Sequence, residues 1–335
     1  MKPARTILAA ASLNSAWIVP ALVVPPNVNA GITIIWNDTD GAFDGYRADL
    51  TSHLQAAVDR WGFRLQGYSD FVISVTPAEE SEPFTCHSDC WSYYDTVEGV
   101  DFFEPGLSTH LRNGFPASTG HPDVQVTLNP AYLRTHLWFD PRPDVRVDAV
   151  APAKVDAISL FIRGLGTALA FDGALGSGPL LPRGGISSFD RNTSLVNGVL
   201  AFTGHQAELA HASPVPLNQR SHYFLQVDAP GGTLSSDVMA GTELVPGARY
   251  DISSLDWAIL SDSNVPTVPP CGGDLTRDHV VDQYDFEQFA FAYDLWSCDS
   301  SEMPFRCPAD FNDDGVVDDS DFSMFAVDYA TFFCP

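Results

Sequence analysis

"LFIRGLGTALAF", Leu160 to Phe171, is the centre of an apolar run from Ala153 to Ala170, and its reading decides the fold. Val155, Ile158, Phe161, Ile162, Leu165 and Leu169 recur at the three- and four-residue intervals of a helix face. Most remaining positions are also apolar or small, so the predicted helix crosses a core instead of covering one. Within the quoted stretch the polar members are Arg163 and Thr167, one turn apart on one side. Gly164 and Gly166 lie between them, where each costs a helix about 1 kcal/mol relative to alanine.

Outward from this helix the chain alternates between strand and helix patterns. "GITIIWND", from Gly31, reads as a buried strand by its β-branched run, and "FVISV" and "VQVTLN" are further strands. Tyr46 to Leu65 reads as a long amphipathic helix, with Leu50, Leu54, Val58 and Trp61 on one face. "DISSLDWAIL" reads as a short helix capped by Asp251 or Ser253. The fold class expected is α/β (α+β) for residues 31–264. A stiff linker with three prolines follows at 265–270. A small all-α domain is expected over 271–335.

The chain has 335 residues, 45% hydrophobic, enough for one large core and one small one. With 43 Asp and Glu against 17 Lys and Arg, the formal net charge is −26. Such a charge repels phosphates, so nucleic acid and anionic membranes are not expected partners. Lys2 and Arg5, the apolar stretch from Ile7 to about Val24 and the small-x-small site Val28-Asn29-Ala30 read as an export signal over 1–30. Asn14, Ser15 and Pro20 interrupt that stretch, so a cleaved signal is expected, not a membrane span. The protein is therefore expected to be secreted or held at the cell surface. Six cysteines in an exported chain favour disulfides. Cys271 to Cys298 and Cys307 to Cys334 each span 27 positions, and Cys86 and Cys90 lie close together. Repeat symmetry then gives the pairs Cys271–Cys298, Cys307–Cys334 and Cys86–Cys90.

"CGGDLTRDHVVDQYDFEQFAFAYDLWSC" and "CPADFNDDGVVDDSDFSMFAVDYATFFC" superimpose at an offset of 36 residues. In the second copy Asp310, Asn312, Asp314, the Val316 carbonyl, Asp318 and Asp321 fall at the spacing that wraps hard oxygens round one calcium ion. Gly315 occupies the sixth position, where the loop turns with positive φ. The first copy offers Asp274, Thr276, Asp278, the Val280 carbonyl, Asp282 and Asp285, with His279 in place of that glycine, so weaker binding is expected there. After each loop comes one amphipathic helix, with Phe286, Phe289, Ala290 and Tyr293 or Phe322, Phe325, Ala326 and Tyr329 as its stripe. The pattern resembles a dockerin over Cys271 to Pro335. The resemblance implies a module folded around two calcium ions and docked to a cohesin-like or cell-surface protein. The flanking cysteines are unusual for that family, and Gln283-Tyr284 and Asp319-Ser320 match no familiar recognition pair.

Residues 31–264 resemble exported bacterial zincin-like metallopeptidases. The matching segments are "NPAYLRTHLWFDP", "KVDAISLF", "LGTALAFDG", "VLAFTG", "PVPL", "SHY", "SDVMAG" and "GARYDISSLDWAILSD". The family's helix carries two zinc-binding histidines one turn apart and a glutamate general base. Here those positions are Arg163, Gly164 and Thr167. A guanidinium offers no lone pair, glycine has no carboxylate, and a threonine hydroxyl is a poor zinc ligand. The place of a third histidine in the longer metzincin motif holds Gly173. His222 stands where the family has a further zinc ligand, and Met239 where it has the turn flooring the site. A catalytically silent relative is therefore expected, with no bound zinc and a peptide or protein ligand in the old cleft. The alternatives are an active secreted hydrolase of other chemistry, acting on peptide or polysaccharide, and a structural cell-surface protein.

Overall fold

The β-branched run after Gly31 forms strand β1 (Ile32–Trp36), and the Leu50/Leu54/Val58/Trp61 stripe forms helix α1 (Arg47–Gly62) with those four side chains buried. In the computed structural model the described residues are 31–62, 65, 70–78, 83–173, 181, 184–229, 232–241, 243–267, 272–276, 281–298, 300, 303, 307, 309–311 and 315–331. The export signal over 1–30, Cys271, Asp278, His279, Val280, Asn312, Asp314 and Cys334 lie outside them. Among the described residues no helix is long and apolar enough to cross a membrane.

After α1 come β2 (Phe71–Pro77), β3 (Phe84–Ser88), β4 (Trp91–Val97), β5 (Val100–Pro105), α2 (Gly106–Asn113), β6 (Val124–Leu128), α3 (Pro130–His136), β7 (Leu137–Trp138) and β8 (Val155–Asp156). The main sheet has the order β1-β2-β6-β3, parallel except for β3, which runs antiparallel along β6 at one edge. Helix α4 (Ala157–Leu169) starts four residues later than the apolar run implies. The Asp156 carboxylate caps it by accepting the Ser159 N–H, while Val155 and Asp156 pair with β7. Every residue of α4 except Thr167 is buried.

The rest is short elements: β9 (Ile186–Ser187), β10 (Thr193–Val196), β11 (Val199–Phe202), α5 (His205–His211), β12 (Val215–Pro216), β13 (Asp228–Ala229), β14 (Gly232–Thr233) and α6 (Ser254–Asp262). Ser253 caps α6 through a reciprocal box with Asp256, as its spacing implies. Helices α7 (Gln283–Leu295) and α8 (Asp319–Thr331) follow the two Asp-rich loops. The architecture is mixed α/β.

Two separate apolar clusters exist. One gathers residues from Phe43 to Val265, and the other joins Val281, Phe289, Ala292, Cys307, Ala309, Val317 and Phe325. In the small cluster the expected aromatic stripe is only half buried. Phe289 and Phe325 stack at 5.0 Å between ring centroids, whereas Phe286 and Phe322 are 43% and 42% exposed. A core this thin has room for one aromatic from each helix, and the neighbouring rings form its rim.

The cysteine pairing differs from the one repeat symmetry implies. Cys298 is bonded to Cys307, with Cα atoms 5.3 Å apart, so the bridge runs between the repeats instead of within each. The antiparallel bridge Ser297–Val316, with Val317 N–H donating to the Trp296 carbonyl at 2.8 Å, brings the end of α7 against the second loop and sets the two sulfurs together. Cys86 and Cys90 are free thiols. They face different helices: Cys86 packs on α4 at Gly164, and Cys90 on α2 at Gly106.

Candidate ligand cleft and cation loops

Helix α4 lies under the antiparallel edge strand β3, and a cleft of about 500 Å³ opens beside them. Pro83, Phe84, Thr85 and Cys86 form one wall, and Leu160, Arg163, Gly164 and Thr167 form the floor. Tyr132, His136, Tyr223, Phe224 and Glu243 close the other sides. The three helix positions singled out in the sequence therefore share one cavity. His222 does not line it. Its backbone N–H donates to the Asn218 carbonyl at 2.8 Å, and the cavity wall is made by the next two residues.

Arg163 is 6% exposed and folded down onto the turn after β14. It donates to the Ala240 carbonyl at 3.1 Å and to the Gly241 carbonyl, and its guanidinium lies 3.9 Å from the Phe224 ring centroid. Burial pulls its pKa down to about 10, opposed mainly by the charge of Asp237, so it stays protonated at neutral pH. Thr167 spends its hydroxyl hydrogen on the Arg163 carbonyl at 3.2 Å. Gly164 is held by close approach: a Cβ there would stand 2.6 Å from Cys86 Cβ and 2.8 Å from Phe84 Cζ. Gly166 does the same for Met239 and Trp61, whose indole N–H donates to the Ile162 carbonyl at 2.8 Å. Met239 is fully buried, so it is a core residue beneath the helix. A zinc ion does not fit these positions: the floor offers a cation, a bare Cα and a hydroxyl already donating.

Two acidic groups near this floor escape sequence reasoning. Asp256 is fully buried, and burial followed by the neighbouring Asp237 holds its carboxyl well above the ordinary range. Ser253 bridges the two, its hydroxyl donating to Asp237 at 2.7 Å and its N–H to Asp256 at 2.8 Å. Asp172, just past α4, is raised to about 7 by burial and then by Asp190. An acid whose folded pKa is raised holds its proton more tightly when folded. Its contribution to stability is full below the unfolded value near 4 and is lost as pH rises toward 7. Asp172→Asn should therefore leave stability at pH 4 nearly unchanged and raise it at pH 8 by roughly 1–3 kcal/mol. Urea midpoints at the two pH values measure this, and an equal shift at both contradicts it.

No family model, curated protein or solved structure matches this chain. Its chemistry must be read from its own residues.

The C-terminal loops hold the second candidate site. In the first, the fully buried Asp285 accepts the N–H groups of Thr276 at 2.7 Å and Asp282 at 2.8 Å. In the second, the fully buried Asp321 accepts those of Phe311 at 2.7 Å and Asp318 at 2.9 Å. Each closing aspartate is thus aimed into its own loop. Gly315, at φ +87°, donates to Asp310 at 2.9 Å, which is the sharp turn its position implies. Thr276 Oγ1 is buried with no hydrogen-bond partner among the described residues. These oxygens suit a hard divalent cation. Cys298, Cys307 and Asp310 also cluster within 4.8 Å, but the two sulfurs are bonded to each other and offer no thiolate for a soft metal.

Proposed function

We propose that this is an exported, calcium-binding protein whose larger domain is a zincin-like fold that has lost its chemistry and binds a peptide or protein in the cleft. The observation that carries the reading is the convergence of Arg163, Gly164 and Thr167 on one cavity beside an antiparallel edge strand. An extended ligand adds to β3 through main-chain hydrogen bonds, with Phe84, Tyr132, Tyr223 and Phe224 as apolar contacts.

The C-terminal repeats form, in this reading, a dockerin-like module holding two calcium ions and tethering the protein to a cohesin-like or surface partner. Asp274, Thr276, Asp282 and Asp285, and Asp310, Val316, Asp318 and Asp321, are its described ligands, and Asp278, Val280, Asn312 and Asp314 complete the two sets. The orphaned Thr276 hydroxyl and the paired closing aspartates support it.

Purified protein should contain less than about 0.1 zinc per chain by elemental analysis, since no imidazole or carboxylate stands at the three helix positions. It should cleave no peptide library with or without added zinc. Stoichiometric zinc with chelator-sensitive cleavage contradicts the proposal.

One observation favours the alternative of an active hydrolase: Asp172, a carboxyl near neutrality with Asp190 as neighbour, acts on the cleft residue Tyr223. Glycoside hydrolysis uses two carboxyls, one of which holds its proton near neutrality as the acid. Activity on a glycan panel that disappears in Asp172→Asn would favour that reading.

A further inference from the structure

We infer that the cleft recognises a carboxylate, held by Arg163 at the place where the family resemblance puts a metal. This rests on the proposed binding role of the cleft and names the chemistry of its ligand. Arg163 is a cation at the floor of an open cavity in a chain of net charge −26. Among the described residues no carboxylate pairs with it within 4.0 Å, although Asp38, Glu104, Asp140 and Asp156 all pair with other arginines. Its leading counter-charge, Asp237, acts from further off and is already occupied by the Ser253 hydroxyl and the Met239 N–H at 2.7 and 2.8 Å.

A guanidinium carries five N–H donors in a flat fork, and two of them go to the Ala240 and Gly241 carbonyls. Three remain, enough for the paired bonds a carboxylate accepts. Those carbonyls and the Phe224 face fix the fork before any ligand arrives, so little rotamer freedom is lost on binding. Tyr132 and Tyr223 line the same cavity, and burial keeps both phenols protonated as donors. Glu243, the acid on the cavity wall, is exposed at its mouth, where water screens it from the floor.

The carboxylate can belong to a chain terminus or to an acidic side chain, and the test separates them. Full-length protein is immobilised and offered three pools of N-acetyl tripeptides: free acids without Asp or Glu, the same sequences as C-terminal amides, and amides with a central Glu. Free acids should be retained at least tenfold better than the plain amides, and Arg163→Met should abolish that preference. Arg163→Lys should restore part of it, which guards against a variant that merely misfolds. Retention of Glu-bearing amides alongside free acids supports any carboxylate, and retention of free acids alone narrows it to a terminus. Equal retention of free acids, Glu-bearing amides and plain amides by the wild-type protein overturns the inference but leaves a binding cleft standing. A preference for acids that survives Arg163→Met also overturns it, and no retention of any pool removes the cleft reading as well.

Discussion

Replacing Gly164 by glutamate is expected to prevent stable folding or to lower stability by more than about 4 kcal/mol, and not to bring back a general base. The reason is the seating of β3 on α4. A Cβ at this position would lie 2.6 Å from Cys86 Cβ, an atom tied to the strand backbone that moves only if the strand does. The Phe84 ring, 2.8 Å away, can swing aside at less cost because it is only half buried. Beyond the first carbon the longer side chain would be forced between helix and strand. Alanine separates the two effects. Gly164→Ala gains about 1 kcal/mol of helix propensity, so a net loss of about 1–3 kcal/mol in urea unfolding isolates the steric term. A stabilised alanine variant contradicts this account. The triple change Arg163→His, Gly164→Glu, Thr167→His should likewise fail to fold stably, because the strand occupies the space that the middle side chain needs.

The second large effect is expected in the repeats. Asp321→Ala removes a fully buried carboxylate that accepts two loop N–H groups and, in our proposal, closes the second calcium site. Each stranded N–H costs about 1–3 kcal/mol, and the core beneath holds seven buried residues among those described. Calcium titration of metal-free protein should raise the melting temperature and far-UV ellipticity, and Asp321→Ala should abolish most of that response. Asp310→Ala should weaken the ion more than Asp274→Ala, since Gly315 gives the second loop its turn and His279 stands at that place in the first. A calcium-independent transition, unchanged by Asp321→Ala, removes the cation from the account.

Much of the fold could be read from periodicity. The β-branched runs point to β1, β2 and β6, the three- and four-residue stripes to α1, α4, α7 and α8, and a capping residue to α6. The β4–β5 and β10–β11 hairpins were passed over although their turns are written in the chain. Glu98-Gly99 and Asn197-Gly198 carry φ values of +53°/+84° and +52°/+82°, the paired positive φ of a tight two-residue turn. The candidate floor was visible because one helical turn places Arg163 and Thr167 together. The walls were not, since Tyr132, Tyr223, Phe224 and Glu243 come from distant segments that only the folded chain closes. The disulfides misled for a physical reason: repeat symmetry describes each unit alone, while the observed bond forms where the units touch.

That bond has a topological result. Cys298 and Cys307 close a ring across the segment between the repeats, with a sequence separation of 9. A protease cutting anywhere inside the ring leaves both halves joined, so the nicked protein keeps its mass in non-reducing electrophoresis and falls into two pieces only with a thiol. The integrity of the chain therefore does not depend on keeping that stretch of backbone whole.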